Sequence, residues 1–463
     1  MIDCTRSFDQ SQEHPAERQR LHAKVKITFI RPNLYDDRSS DAMEPLCFAI
    51  LKSLTPDDVD VELFDERLEP LPFDIETDLV AMTVETYTAR RAYQVADRFR
   101  RRGIPVVMGG YHPTFLPDEA LEHADAVVKG DAEGVWEHVV ADARAGRLQR
   151  VYENAEFPPL GGCLPDRSIF DGKSYSPIGL VQFGRGCRFN CTFCSIRAFY
   201  GNNLRQRPID EVVEDIRQSG RRHIFLVDDN LFVDRDTAYA LFEALVPLNI
   251  SWSCQVSIDI ARDEELVQLM RRSGCISALI GFESLNEDSL RQLKKHWNTK
   301  WQSYDDAIDV FRRAGIMLYG TFIFGCDSDS PEAFGETVAF ALRNKFVLAN
   351  FNPLTPTPGA PLYDQLAAEG RLLHDRWWLD PDFGYGDATY EPRGMTAREL
   401  TAGCFAARQE FNTARSILSR MFDLRANCRS PFRAGVYLVA NLKSRREIFR
   451  KQGRRLGAVG GSA

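Results

Sequence analysis

Short apolar segments alternate with amphipathic helical segments along most of this chain. Between residues 24 and 130 the apolar segments predict five buried strands, at 24–30, 59–65, 78–84, 104–110 and 125–130. In the stretches between several of them, apolar residues recur at helical spacing. Strands that alternate with helices predict an α/β domain over residues 24–150, built on a parallel, doubly wound, Rossmann-like sheet. Ligands of such sheets bind at the carboxyl ends of the strands.

A second alternation follows a connector rich in Pro and Gly at residues 151–176. It predicts six further strands, at 178–184, 223–229, 250–256, 276–282, 316–325 and 346–352. Six βα units are too few for a closed eight-fold barrel, so we expect a partial barrel over residues 177–371, with its reactive groups at the carboxyl ends of the strands. The remaining residues, 372–463, begin as an irregular aromatic segment and become mainly helical from about residue 396.

Charge and cysteine content narrow the class of protein. The formal net charge of −8 argues against a nucleic acid partner, because phosphate binding requires clustered Lys and Arg. The basic stretch at 443–455 is an exception, and it predicts either a solvated helix or a weak peripheral contact with an acidic partner or a membrane surface.

Residues 1–23 form a polar tail rather than a signal peptide, and no run reaches the roughly 18 apolar residues of a membrane span. Eleven cysteines without a disulfide framework are typical of a reducing cytosol, so we expect a cytoplasmic protein.

Three cysteines lie close together directly after the first predicted barrel strand. Cys187, Cys191 and Cys194 form a CxxxCxxC pattern. Structural zinc normally takes four protein ligands, often as two CxxC pairs, and the sequence has no second pair. A disulfide would leave one thiol over. Iron–sulfur clusters usually take four thiolates, so three thiolates predict a cluster with one iron open to a substrate or cofactor.

The segment "CRFNCTFC" resembles the cluster-binding motif of the radical S-adenosylmethionine (radical SAM) superfamily, and the resemblance extends over residues 177–371. It implies that the three cysteines hold a [4Fe–4S] cluster whose open iron is chelated by S-adenosylmethionine (SAM). In that superfamily one electron from the cluster cleaves SAM to a 5′-deoxyadenosyl radical, and an external donor of the flavodoxin or ferredoxin type supplies the electron. Phe193 matches the aromatic residue beside the adenine.

Two downstream segments match the superfamily more loosely. "IGFES" puts Glu283 and Ser284 at the end of the fourth barrel strand, where family members bind the polar parts of SAM. A helix-capping carboxylate is the alternative for Glu283. "GTFIFG" resembles the GxIxG of the fifth strand, whose backbone meets the adenine, and Gly320, Ile323 and Gly325 carry this match.

One superfamily motif is missing. The glycine-rich segment that many members carry after the second strand is replaced here by "LVDDN". The resemblance then makes Asp228, Asp229 and Asn230 candidates for polar contacts near SAM. A turn that only caps the following helix is the alternative.

The first domain resembles the cobalamin (B12)-binding domain of the B12-binding radical SAM enzymes. Its segments "GGYHPTFLPDEAL" and "VVKGDAEGVW" carry the match. The resemblance implies that Gly109 and Gly110 let the flat macrocycle approach the backbone, and that Gly130 and Glu133 line its edge. The Asp-x-His-x-x-Gly motif that supplies a histidine to cobalt in other cobalamin domains is missing, so His112 is expected to bond backbone or the corrin edge rather than cobalt.

These matches predict a cobalamin-dependent radical SAM C-methyltransferase that acts on an unactivated carbon of a small molecule, such as a secondary metabolite, a lipid or a tetrapyrrole. A missing lower histidine ligand favours methyl transfer from cobalt. An oxidative cyclase or ring-rearrangement enzyme with the same cofactors is the alternative. A radical methylthiotransferase is disfavoured, because the N-terminal region offers only Cys4 and Cys47 for a second cluster. A non-enzymatic iron–sulfur regulator or zinc-binding module would not cleave SAM.

The segment "RWWLDPDFGYGDATY" allows two interpretations. Its aromatic residues cover the mouth of the active site and contact a hydrophobic or planar substrate, or they pack between domains. The residues concerned are Trp377, Trp378, Phe383 and Tyr385.

Overall fold

The computed structural model describes residues 24–35, 37–39, 42–300 and 303–457, and the predicted polar tail at 1–23 lies outside these ranges. Six strands form the first sheet: β1 (Lys26–Arg31), β2 (Asp60–Asp65), β3 (Leu79–Thr83), β4 (Val106–Gly109), β5 (Ala126–Lys129) and β6 (Val151–Glu153). The helices of this part are α1 (Leu46–Ser53), α2 (Ala89–Arg100), α3 (Tyr111–Phe115), α4 (Pro117–His123) and α5 (Trp136–Arg144).

The first sheet is doubly wound, as predicted. Its strands are all parallel, in the order β2-β1-β3-β4-β5-β6. Alternate residues of β3 face opposite sides of the sheet: Val80 and Met82 pack with α2 and α4, whereas Leu79 and Ala81 pack with α1 and α5. The strand order reverses between β1 and β3, and this reversal opens a crevice at the carboxyl ends of the two strands.

Strand β6 lies in the segment predicted as connector. It pairs with β5, with Val127 opposite Val151, and so extends the first sheet by one strand beyond the five predicted. The strand has three residues, of which only Tyr152 is buried. A strand this short and this exposed leaves no apolar run in the sequence, which is why the pattern missed it.

The second sheet is the predicted partial barrel. The strands of this part are β7 (Gly179–Val181), β8 (Gly184–Arg185), β9 (Arg205–Gln206), β10 (His223–Leu226), β11 (Ser251–Gln255), β12 (Cys275–Glu283), β13 (Met317–Phe324) and β14 (Leu348–Pro353). Those of the barrel lie in the order β14-β13-β12-β11-β10-β7, and all are parallel. In the described residues no pairing joins β7 to β14, so the barrel is open at that side. A short antiparallel pair, β8 with β9, lies outside this sheet.

The barrel helices begin and end where local signals predict. They are α6 (Ser195–Tyr200), α7 (Ile209–Ser219), α8 (Arg235–Leu245), α9 (Glu264–Arg272), α10 (Glu287–Gln292), α11 (Tyr304–Ala314) and α12 (Glu332–Arg343). Gly220 and Gly315 adopt the left-handed conformation that ends α7 and α11. The side chain of Asp234 caps α8 by accepting a hydrogen bond from the amide of Thr237. The turn at 228–230 therefore does not cap that helix.

The C-terminal region packs against both sheets. Its helices are α13 (Pro361–Ala368), α14 (Ala397–Phe411), α15 (Ala414–Met421) and α16 (Pro431–Lys451). Trp377 and Trp378 are fully buried in the same apolar cluster as the residues of α2. Packing between domains is therefore the correct interpretation for these two tryptophans. In the described part of the chain no helix is both long enough and apolar enough to cross a bilayer.

Candidate functional site

The three predicted cluster cysteines lie on one loop at the carboxyl end of the first barrel strand. Cys187 follows β8 and Cys194 immediately precedes α6, so regular structure holds both ends of the loop. All three thiols are half-buried. Burial raises the pKa of each thiol, and the neighbouring sulfurs contribute to raising the pKa of Cys191 to about 12. Because the three thiols influence one another's pKa, they lie close together.

The cysteine loop differs from a site that binds a single metal ion. Among the described side chains, no three His, Cys, Asp or Glu residues converge on a single metal-ion position. A [4Fe–4S] cluster does not require such convergence, because each thiolate binds a different iron. Three half-buried thiols close together on one loop fit a cluster with one open iron. They do not fit structural zinc, which needs four ligands on one ion.

The two aspartates after β10 hold the backbone on which the cysteine loop begins. The carboxylate of Asp228 accepts hydrogen bonds from the amides of Phe183, at 3.1 Å, and Gly184, at 2.5 Å. Asp229 accepts one from the amide of Gly186 at 2.8 Å, directly before the first cysteine. Burial raises the pKa of Asp228 to about 7 and that of Asp229 to about 6, although these amides act to lower both.

Glu283 forms a buried ion pair beside the cysteine loop. Its Oε1 lies 2.6 Å from the Nζ of Lys295, a residue that no sequence motif marks. Burial acts to lower the pKa of Lys295, but the charges of Glu283 and Cys191 outweigh it and raise that pKa. The backbone of Glu283 is left-handed, with φ 64°, at the end of β12. Asn286 caps the next helix, α10, so the helix-capping alternative for Glu283 is wrong.

Of the other residues matched near SAM, Gly320, Ser284 and Gly325 have roles in the local structure, whereas Phe193 and Ile323 lie near the cysteine loop. A side chain added at Gly320 would come within 2.5 Å of a neighbouring phenylalanine ring, so this glycine permits close packing of the barrel. The hydroxyl of Ser284 accepts a hydrogen bond from the amide of Asn286. Gly325 directly follows β13, with φ 108°. Phe193 and Ile323 come together in one apolar cluster next to the cysteine loop.

A cavity of about 310 Å³, here called the first cavity, lies between the first sheet and the barrel. The carboxyl ends of β1, β3, β4 and β5 form one side, and Gly109, Gly110, Gly130 and Glu133 are among its lining residues. The barrel contributes residues of the cysteine segment, including Arg185. The structure thus brings four of the five residues matched to cobalamin binding to one cavity, at the edge where a doubly wound sheet binds its ligands.

Ion pairs join the two domains at this cavity. Arg185 contacts Glu133 at 2.7 Å and Asp131 at 2.9 Å, and Arg205 contacts Asp131 at 2.7 Å. Although burial acts to raise it, Arg185 holds the pKa of Glu133 below its ordinary value. No sequence pattern indicated these pairs, because their members are more than fifty residues apart.

Comparison with known proteins decides the family. The radical SAM superfamily model matches residues 181–341, and the B12 binding domain model matches residues 54–140. The bacteriochlorophyllide d C-12(1)-methyltransferase of Chlorobaculum tepidum is 31% identical over 390 residues, covering 81% of this chain and 84% of the relative. This chain belongs to the B12-binding radical SAM methyltransferases. It is therefore an enzyme of the class that the sequence predicts.

Two further comparisons frame this assignment. The anaerobic magnesium-protoporphyrin IX monomethyl ester cyclase of Cereibacter sphaeroides is 25% identical over 430 residues, covering 82% of this chain and 69% of the relative. The structure of the radical SAM methyltransferase TsrM from Kitasatospora setae, with tryptophan and a SAM analogue bound, matches with a TM-score of 0.64 at 15% identity. That match covers 92% of this chain and 98% of the other, and at this identity it shows the fold.

His112 of this B12-binding radical SAM enzyme does not line the first cavity. Its side chain is fully buried, and its Nε2 lies 3.0 Å from both the hydroxyl of Tyr93 and the carboxylate of Glu119. Its Nδ1 lies 3.3 Å from the hydroxyl of Thr86. Both ring nitrogens are therefore used inside the domain, and the predicted contact with the corrin edge has no support in the geometry.

A second cavity, of about 460 Å³, lies on the barrel side of the first. Phe193 and Ile323 line it, together with Arg408 of α14. Arg31 and Glu85 line both cavities, with Nη2 and Oε1 3.6 Å apart. Thus one loosely paired arginine and glutamate separate the cavity of the cobalamin-binding domain from the cavity beside the cysteine loop.

Proposed function

We propose that this chain is a cobalamin-dependent C-methyltransferase that methylates an unactivated carbon of a cyclic tetrapyrrole. One observation carries the proposal: the glycine-lined first cavity and the second cavity beside the cysteine loop meet at Arg31 and Glu85. A substrate carbon at this junction would be within reach of both a methyl donor and a hydrogen-abstracting radical. Two of the relatives, by their names, act on tetrapyrroles.

The chain's own residues would hold three cofactors. When bound, the [4Fe–4S] cluster and SAM supply a 5′-deoxyadenosyl radical, and cobalamin supplies the methyl group. The cluster would bind to Cys187, Cys191 and Cys194, whose loop is fixed by the carboxylates of Asp228 and Asp229. An external electron donor of the flavodoxin or ferredoxin type would dock near this loop.

The residues near SAM and the corrin would hold these cofactors in place and would not react with the substrate themselves. Phe193 and Ile323 would flank the adenine, since both line the second cavity. The Glu283–Lys295 pair would face the polar end of SAM from beside the cysteines. On the other side, Gly109, Gly110 and Gly130 would leave room for the macrocycle, with Glu133 at its edge.

The lining of the first cavity supports methyl transfer from a bound cobalamin. In the described chain no histidine lines the first cavity, and His112 is occupied inside the domain. A corrin without a lower protein ligand would give up its methyl group more readily. The absence of a histidine from the lining of the first cavity, among the described residues, therefore favours methylation over cyclisation, the reaction named for one relative.

The charge of the second cavity supports an anionic substrate. Arg408 has no carboxylate partner in the described chain: its guanidinium bonds to the carbonyl of Phe351, the amide oxygen of Asn352 and that of Gln452. The Nε of Arg31 is buried without a hydrogen-bond partner among the described residues. Arg408, together with Arg31, whose pairing with Glu85 is loose at 3.6 Å, would attract a carboxylate on the substrate.

The experiment is anaerobic incubation of reconstituted enzyme with methyl-labelled SAM, hydroxocobalamin, reductant and bacteriochlorophyllide d, so that SAM is the sole source of methyl groups. We expect 5′-deoxyadenosine and a labelled product heavier by one CH2. A product that has lost hydrogens without gaining label would indicate cyclisation. Label in no product, while 5′-deoxyadenosine accumulates, would reject methyl transfer.

A further inference from the structure

The last long helix, α16, carries a row of apolar side chains in solvent. Its exposed large apolar residues are Phe432, Val439, Leu442 and Phe449, which are 47–60% exposed. At 100° per residue, their spacing keeps all four within an arc of about 100° on the helix. The buried side chains of the same helix occupy the other side: Arg433, Tyr437, Asn441 and Glu447.

The preceding segment also exposes apolar side chains. Leu418 of α15 is 54% exposed, and Phe422 and Leu424, in the connection to α16, are 78% and 72% exposed. Seven of the eleven large apolar residues that are exposed in the described chain thus fall between residues 418 and 449. Single exposed apolar residues are normal, but such a concentration indicates an interaction site.

The same segment is strongly basic. Residues 413–457 contain twelve Lys or Arg and two Asp or Glu, a formal charge of +10, whereas the whole chain carries −8. Both acidic residues are buried and paired: Asp423 with Arg312, and Glu447 with Lys451. Arg420 and Arg433 are buried, and Arg425, Arg454 and Arg455 pair with carboxylates outside the segment. The exposed cations that remain include Arg415, Arg429, Arg445 and Arg446, and Arg446 lies on the same side of the helix as the exposed apolar residues. Phe432, Val439, Leu442, Arg446 and Phe449 are called the basic apolar surface below.

We propose that the basic apolar surface binds the face of an anionic lipid bilayer. Phenylalanine and leucine side chains on a Lys- and Arg-rich helix insert at the boundary of headgroups and acyl chains, while the cations meet lipid phosphate. Arg446 lies inside the apolar arc, where its long stem permits the charge to reach the headgroups. Membrane contact of this kind holds the chain at the surface and needs no spanning helix.

A second copy of the chain fits this surface less well. Pairing two copies through α16 would bring two faces with exposed arginines together, Arg445 and Arg446 among them. It would also bury Arg446 in the apolar contact without a carboxylate, since neither acidic residue of the segment is exposed. Charge complementarity therefore favours an anionic surface.

The test is co-sedimentation of the full, cluster-loaded chain with vesicles of phosphatidylcholine alone and of phosphatidylcholine with phosphatidylglycerol. We expect binding to the mixed vesicles that is at least about tenfold tighter than binding to phosphatidylcholine, and that weakens with salt. The double variant L442Q/F449Q and the variant R446E should each weaken it at least about tenfold. The control L373Q removes an apolar side chain that is 44% exposed elsewhere, and it should bind as the wild type does.

Three outcomes would overturn the proposal. One is no sedimentation of the wild type with the mixed vesicles, and another is equal binding to both vesicle types. The third is a wild-type chain that does not bind vesicles but forms a stable dimer, seen by light scattering, which the substitutions L442Q/F449Q dissociate. This result would assign the surface to a second copy of the chain. Release of 5′-deoxyadenosine is measured in parallel, so that failure of the membrane proposal is distinguished from failure of the proposed chemistry.

Discussion

The indole Nε1 of Trp378 donates a hydrogen bond to the carboxylate of Glu119 at 2.9 Å, and this bond joins the C-terminal region to the first domain. The same oxygen accepts a hydrogen bond from Tyr93 at 2.9 Å and lies 3.0 Å from Nε2 of His112. Hydrogen bonds to charged groups are the stronger ones, and a buried group left without its partner is costly. This carboxylate is thus a structural junction, although it lies in a segment matched to cobalamin binding.

Glu119→Gln should lower the free energy of unfolding by about 1–3 kcal/mol, because it removes the charge from three buried hydrogen bonds. Glu122→Gln, on the exposed side of the same helix, is the matched control and should have little effect. Urea denaturation followed by circular dichroism measures both. Equal stability of the two variants would contradict the junction role.

Stability should depend on pH through Asp228. Because burial raises its pKa to about 7, the native carboxyl keeps its proton to a higher pH than the unfolded chain does. Between about pH 4 and pH 7 the native state therefore binds more protons, and the free energy of unfolding falls as the pH rises, by up to about 4 kcal/mol. Asp228→Asn does not titrate, so its unfolding free energy should vary less across this window. Parallel slopes for the wild type and the variant would refute the prediction.

Gly109→Leu should prevent uptake of cobalamin. A Cβ at this position would lie 3.7 Å from Val128, an ordinary contact, so the longer side chain would fill the first cavity without backbone strain. Gly109→Ala is the control that adds one methyl group only. Cobalamin per chain, read from its visible absorption, should fall at least about tenfold for Leu and much less for Ala, whereas iron content should stay unchanged. Normal cobalamin content in the Leu variant would place the corrin elsewhere.

Replacing any of Cys187, Cys191 or Cys194 by Ser should abolish the cluster, because each thiolate holds its own iron. Cys163→Ser, another half-buried cysteine outside the loop, should keep it. Iron and sulfide analysis, together with 5′-deoxyadenosine release, distinguishes the two results. Full iron content in a loop variant would remove that cysteine from the ligand set.

Arg31→Gln should weaken binding of a substrate that carries a free carboxylate. Loss of one hydrogen bond to a charged group corresponds to a rise in KM of about 10- to 100-fold, with a smaller change in kcat. The methyl ester of the same substrate lacks the negative charge, so the substitution should change its KM little. Arg101→Gln, on the exposed end of another helix, controls for lost surface charge. An equal rise in KM for acid and ester would show that Arg31 does not bind the carboxylate.

The parts of the site that the sequence predicted are those held by local spacing. The CxxxCxxC loop, Phe193 and the strand ends that carry Gly109 and Glu283 are fixed by their neighbours along the chain, and buried parallel strands leave apolar runs that a periodicity argument detects. The periodicity argument missed β6 because only one of its three side chains is buried.

Tertiary structure alone decided which distant residues share a space. Lys295 reaches Glu283, Arg185 reaches Glu133, and Arg31 lies where two cavities meet. His112 shows the converse: its motif matched a cofactor site, but Tyr93 and Glu119 occupy its ring. Spacing along a chain determines helices, strands and short loops, because these depend on neighbouring residues. Ion pairs and cavities depend on how those elements pack, and packing joins side chains that the sequence keeps far apart.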